Sequence, residues 1–190
     1  MKRAQQSVLI VGIVGFSWLA MQAVHELGHV LGAWLTGGEV THVALHPLAF
    51  SRTDVAPNPH PAIVVWSGPL VGCILPAAVY LAARFLRAPG LHLPRFFAGF
   101  CLIANGIYIG VDSFVKGADG GEMIRNGSPQ WLLLLFAFAA IPSGFGMWNR
   151  QGIHFGLGEA NGNVSRRAAA TAASLFVGVI ALELILGGRA

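Results

Sequence analysis

The sequence predicts an all-α, polytopic membrane protein of about five transmembrane helices, with a short strand or hairpin after the first. Three observations predict it. Of 190 residues, 55% are hydrophobic and only 11% are charged, whereas a soluble domain carries about a quarter charged residues. Mean hydropathy is +0.65. Five separate stretches approach the roughly 20 apolar residues that a spanning helix needs. This composition excludes a disordered chain, a nucleic-acid-binding module and most cytosolic enzymes. It implies a multi-pass protein of the cell membrane with the lipid bilayer as its surroundings. The length allows one domain, residues 1–190, and no appended soluble domain. Cys73 and Cys101 lie in apolar runs and form no disulfide framework or cysteine zinc motif.

The first span runs from about Ser7 to Leu35. It is too long for a removable signal peptide and lacks the small-residue cleavage site. Gly37 and Gly38 then break the helix, and Glu39 to Leu45 alternates with β-branched residues, which reads as a strand or hairpin at the membrane face. Pro57, Pro59 and Pro61 make an extended lead into the second span, about Ala62 to Leu86. The third covers about Phe96 to Val115, the fourth Gln130 to Trp148 and the fifth Ala168 to Leu186. Asn149 to Val164 holds four glycines and reads as a loop. Among the five tryptophans, Trp66, Trp131 and Trp148 fit interfacial anchoring.

Five spans alternate the loops between two faces. The face with the N-terminus carries Lys2, Arg3, Arg84, Arg87, Arg95, Arg150, Arg166 and Arg167, while the other carries Arg52, Lys116, Arg125 and Arg189. The excess on the first face favours a cytoplasmic N-terminus.

The first span contains His25-Glu26-Leu27-Gly28-His29, an H-E-x-x-H sequence. Residues four apart share a helix face, so both imidazoles can reach one metal ion. Glu26 lies about 60° around the helix from His29, at roughly 100° per residue, beside that metal and placed to act on a water. Ionisable groups inside a span are costly and point to a functional site. A catalytic zinc takes three protein ligands and an open position. The chain offers three aspartates, Asp54, Asp112 and Asp119. The last two lie at the C-terminal end of the third span, which runs parallel to the first, so they reach the side of the membrane where His25 and His29 stand. Asp54 is in the loop on the same face.

An H-E-x-x-H within a span resembles the site-2 protease family of intramembrane zinc metalloproteases. Gly38 to Val43 is similar to the family's strand-forming segment, and Gly68-Pro69-Leu70-Val71-Gly72 to its Gly-Pro signature, with Gly72 where Asn is common. Asp119-Gly120-Gly121 is similar to its Asp-Gly third-ligand motif. The usual preceding Asn and Pro are absent and Ala118 replaces a common Leu, while the segment Asp119 to Pro129 is more similar to the small, divergent branch. Asn105 stands seven residues before Asp112, close to the family's Asn-to-Asp spacing, which keeps Asp112 as the alternative ligand. The resemblance implies Zn²⁺ held by His25, His29 and Asp119, with Glu26 as general base. It implies regulated cleavage of transmembrane protein substrates. It also implies a site near the cytosolic face, whereas the charge count places it near the other. Gating would fall to loops, helix motion or a regulatory membrane partner.

Other polar residues have structural readings beside functional ones. Asn105 could bind substrate or make an interhelical hydrogen bond. His42, His46 and His60 could capture metal or simply be solvated. Glu122 reads as a solvated or helix-starting charge, and Glu183 as a snorkelling or paired one. Gly68 and Gly72 could open space for substrate or pack helices closely. A non-catalytic metal-binding membrane protein, a transporter or an inactive scaffold, is the alternative function. A transporter should carry ionisable groups in several spans along a path, whereas here they gather on the first and third.

Overall fold

A computed structural model describes residues 2–186; Arg189 of the charge count lies outside them. Helix α1, Lys2–Thr36, has 35 residues and is about 52 Å long at 1.5 Å per residue, well beyond a hydrocarbon core of about 30 Å. It stops where Gly37 takes φ +77°, a conformation that costs glycine little. The Gly38 N–H then donates to Ala33 O at 2.8 Å, satisfying an orphan carbonyl of the last turn.

The expected strand is one arm of a hairpin. Strand β1, Val40–Ala44, pairs antiparallel with β2, Arg52–Val55, placing Val43 opposite Thr53 and Ala44 opposite Arg52. The partner strand occupies part of what reads in sequence only as a connection. Helix α2, Pro61–Phe85, begins on a proline, whose missing N–H would have no helical partner there. Then come α3, His92–Val115, the short α4, Asp119–Arg125, and α5, Gln130–Trp148. Two 3₁₀ turns, Gly152–Phe155 and Gly158–Ala160, lie in the segment read as a loop. Helix α6, Arg166–Leu186, is the last element of the described residues.

Helices α1, α2, α3, α5 and α6 are long and apolar enough to cross a membrane. Large apolar side chains point outward, with Leu35 86% and Phe138 79% exposed, as a lipid-facing surface requires. The protein is an integral, multi-pass membrane protein. Helix α1 packs between α2 and α6, and α3 packs on α5 and α2. At Gly12 a methyl group would stand 2.9 Å from the Ala172 backbone, so α1 and α6 touch almost backbone to backbone. Met123 anchors α4 by inserting, fully buried, among Val65 of α2, Ile109 of α3 and Leu133 of α5. That anchor fixes α4 over the end of α1 that carries the H-E-x-x-H.

Trp66 and Trp148 are held between helices. Trp66 donates to Ser128 Oγ at 2.9 Å, and Trp148 donates to Phe96 O at 2.9 Å while stacking on its ring. Trp131, 64% exposed, remains free on the surface as an anchor would be.

Candidate metal centre

His25 and His29 are one turn apart on the buried face of α1, 6% and 7% exposed. Each ring is oriented by a partner on another helix. His25 Nδ1 lies 2.7 Å from Asn105 Oδ1 on α3. That oxygen can only accept, because Asn105 Nδ2 donates to Cys101 O at 2.9 Å. His29 Nδ1 donates to Val64 O on α2 at 2.9 Å. A neutral imidazole has one N–H, so both rings, in their neutral form, present Nε2 as a bare lone pair. Both Nε2 atoms converge on one carboxylate oxygen, with Asp119 Oδ2 2.8 Å from His25 and 3.3 Å from His29. Burial alone would raise the Asp119 carboxyl; when the two facing rings are protonated, their Nε2–H groups and positive charge outweigh this and hold it below the usual carboxylate range, whereas the neutral rings turn lone pairs to the same point. Two nitrogen lone pairs and an anionic oxygen within 4.8 Å of one another form a donor set of the kind that zinc takes.

Asp112 stands elsewhere. Its Oδ1 accepts from the N–H groups of Gly117, at 2.9 Å, and Ala118, at 3.2 Å. Oδ2 accepts from Ala118 at 3.0 Å and Gly121 at 2.9 Å. It therefore folds the connection between α3 and α4 around itself and delivers Asp119 to the histidines. The two glycines after Asp119 allow that fold. At Gly120 a methyl group would meet the Asp112 backbone at 2.9 Å, and at Gly121 it would run into Lys116.

The glycines of α2 are equally local to the cluster. A methyl at Gly68 would run into the His29 ring and stand 2.8 Å from His25 Nε2; one at Gly72 would stand 2.9 Å from Asn105 Nδ2. Gly68 therefore makes room for the imidazole pair and Gly72 for the amide that orients His25.

Glu26, 4% exposed, turns to the hairpin. Ser51 Oγ donates to its Oε1 and Thr53 Oγ1 to its Oε2, both at 2.7 Å. One turn earlier on α1, Gln22 Oε1 accepts from the Ser51 N–H at 3.2 Å. Sequence reading passes over Ser51 and Thr53, although two hydroxyls at i and i+2 are the signal of one strand face. It also leaves out Tyr108, whose ring packs edge-on to His25 at 5.6 Å.

Of the other sequence candidates, Asn105 is 1% exposed, lines the cavity beside the cluster and makes the interhelical contact to His25, with Nδ2 engaged by Cys101 O. Asp54 pairs with Arg52 at 3.1 Å, and His42, His46 and His60 stand outside the ligating cluster. Glu122 lies in the first turn of α4, at the helix start that the sequence suggests. Glu183 neither snorkels nor pairs as expected. It is 3% exposed, and its Oε2 has no partner among the described residues.

His25, Glu26, His29 and Asp119 open into one cavity of about 1120 Å³. Its walls continue along α1 to Trp18 and along α3 through Ile107, Ile103 and Phe100, giving a polar end and an apolar length.

A spanning helix that carries H-E-x-x-H, oriented imidazoles and a third corner closed by a carboxylate defines a class: membrane-embedded proteins of the metalloprotease type. Comparison makes this particular. The chain belongs to the Peptidase M50B-like family, whose model matches residues 5–109, and so to the site-2 protease group of zinc metalloproteases. No curated protein and no solved structure matches it. The matched stretch holds His25, Glu26, His29 and Asn105 but ends before Asp112 and Asp119, so only tertiary contact distinguishes those two carboxylates.

Proposed function

We propose that the protein is an intramembrane zinc endopeptidase that hydrolyses peptide bonds in or near transmembrane segments of substrate proteins. The observation that carries this reading is the convergence of His25 Nε2, His29 Nε2 and Asp119 Oδ2 on the helix that also carries Glu26. These three groups would hold the ion. Zinc bound there would supply Lewis acidity, making a water acidic near neutral pH and stabilising negative charge on a carbonyl oxygen. Glu26 takes the proton of the attacking water and returns it to the leaving amine as the peptide C–N bond breaks. Asn105 and Val64 O keep both rings in the tautomer that ligates, as partners behind a ligand do.

A transmembrane substrate enters from the bilayer along the apolar part of the cavity. Its helix must unwind there, because helical carbonyls are held in i to i−4 hydrogen bonds. Ser51 to Val55, together with Thr41 of β1, line the cavity, and an unwound segment would lie extended beside this hairpin. Access is governed by the hairpin, by helix motion or by a regulatory membrane partner.

Zinc stoichiometry and cleavage of a panel of single-span model substrates test the proposal together. Glu26→Gln should keep zinc and abolish cleavage. A Glu26→Gln protein that still cuts would remove Glu26 as base, and a wild type that holds zinc but cuts nothing in the panel would favour a non-catalytic metal-binding protein.

A further inference from the structure

The hairpin touches the H-E-x-x-H helix through polar atoms that the reaction scheme leaves unexplained. Thr53 lies on β2 and Ser51 is the residue just before that strand; two positions apart in extended chain, their hydroxyls point the same way. They take one oxygen each of Glu26, both at 2.7 Å. A third contact, Ser51 N–H to Gln22 Oε1 at 3.2 Å, lies one helical turn along. Gln22 and Glu26, at i and i+4, form one polar stripe on α1, and Ser51 to Thr53 is laid along it.

We infer that Ser51 and Thr53 are positioning residues for the general base: the hairpin clamps Glu26 in the orientation from which it exchanges protons with water and leaving group. The inference rests on the peptidase reading. A carboxylate offers about four lone-pair sites. Two hydroxyl donors, one on each oxygen, restrict the rotation of the group yet leave a lone pair on each oxygen for a water. Free of the clamp, a glutamate would sample several rotamers about its three side-chain torsions. Proton transfer needs the base within hydrogen-bond reach in one geometry. Gln22 holds the strand by its backbone, so loss of one hydroxyl leaves the strand docked while freeing one oxygen of Glu26. The base thus comes from α1, and its aim from a hairpin whose other residues line the substrate cavity.

The experiment uses the full chain in proteoliposomes, loaded with zinc, and the same panel of single-span substrates. Thr53→Val and Ser51→Ala should each lower kcat about tenfold, in line with the sensitivity of catalysis to small misplacements. KM and zinc stoichiometry should be unchanged. Thr53→Ser and Ser51→Thr, which return a hydroxyl, should restore kcat. A second arm needs neither zinc nor cleavage: in zinc-free protein, Glu26→Ala should speed amide exchange across residues 40–55 about tenfold, by releasing the docked strand. Wild-type kcat in the double variant Ser51→Ala, Thr53→Val would overturn the inference. So would a gain in kcat, which would make the clamp inhibitory, or failure of the hydroxyl-restoring variants to rescue. Unchanged exchange in Glu26→Ala would overturn it as well. If the wild type cuts nothing, the peptidase reading fails by itself, and the exchange arm decides the docking.

Discussion

Replacing Gly68 by alanine should weaken the metal centre without altering any ligand. The added methyl would stand 2.8 Å from His25 Nε2 and would run into the His29 ring. Non-bonded heavy atoms sit comfortably at about 3.5 Å or more, so the His25 ring or α2 must give by about 0.7 Å and the His29 ring by more. The rings cannot turn aside freely, since Asn105 and Val64 O hold their Nδ1 sides at 2.7 and 2.9 Å. Metal–ligand distances tolerate only about ±0.2 Å. A shift of this size should cost zinc affinity on the order of 10- to 100-fold, the range seen when groups supporting a ligand are lost. Parting the helices instead would cost about 1–3 kcal/mol of stability. The assay is zinc retention in a chelator titration, alongside thermal unfolding of the zinc-free protein. Gly12→Ala is the control, because its methyl would meet the Ala172 backbone at 2.9 Å on the α6 side of α1. It should lose stability to a similar degree and keep its zinc affinity. Wild-type zinc affinity in Gly68→Ala, or equal loss in Gly12→Ala, would refute the reasoning.

Further expectations separate the roles of the neighbouring residues. Asp119→Ala should abolish zinc binding outright. Asp112→Asn should keep one zinc at about tenfold weaker affinity and speed amide exchange at residues 117–121, because it disturbs only the acceptors that fold the connection; complete loss of zinc in Asp112→Asn with full retention in Asp119→Ala would move the ligand. Asn105→Ala should lower zinc affinity about tenfold or more by freeing the His25 ring, measured by the same chelator titration. Met123→Ala should cost about 2–5 kcal/mol for a buried side chain cut to a methyl, read as a loss of thermal stability. It should also weaken zinc through the loosened α4, an effect that Leu9→Ala, in the α1–α6 core, should not show.

Much of this protein is legible without a structure because the bilayer imposes a strong code. A span must be about 20 apolar residues and must satisfy its backbone internally, so α1, α2, α3, α5 and α6 appear directly as apolar runs. The two histidines and Glu26 are equally legible, since a motif within one helix has its geometry set by the helix itself. The direction of the spans even places Asp112 and Asp119 on the correct side.

Contacts between elements are of another kind. Whether Asp112 or Asp119 meets the imidazoles depends on a reversal of the chain after α3, on three backbone N–H groups that Asp112 gathers and on Met123 reaching a pocket among three helices. Gly68 and Gly72 look alike as small residues in a span, and only the crossing of α2 over α1 and α3 reveals that one makes room for imidazoles and the other for Asn105. Ser51 and Thr53 lie in a connection whose strand is defined by pairing with β1 and by docking on Glu26. The sequence by itself determined the spans and the helix face that carries His25, Glu26 and His29, because lipid and the helical repeat act along the chain. The tertiary structure alone decided which aspartate meets the imidazoles, which partners orient the rings and which hydroxyls meet Glu26, because each depends on through-space contacts between segments 25 to 94 residues apart.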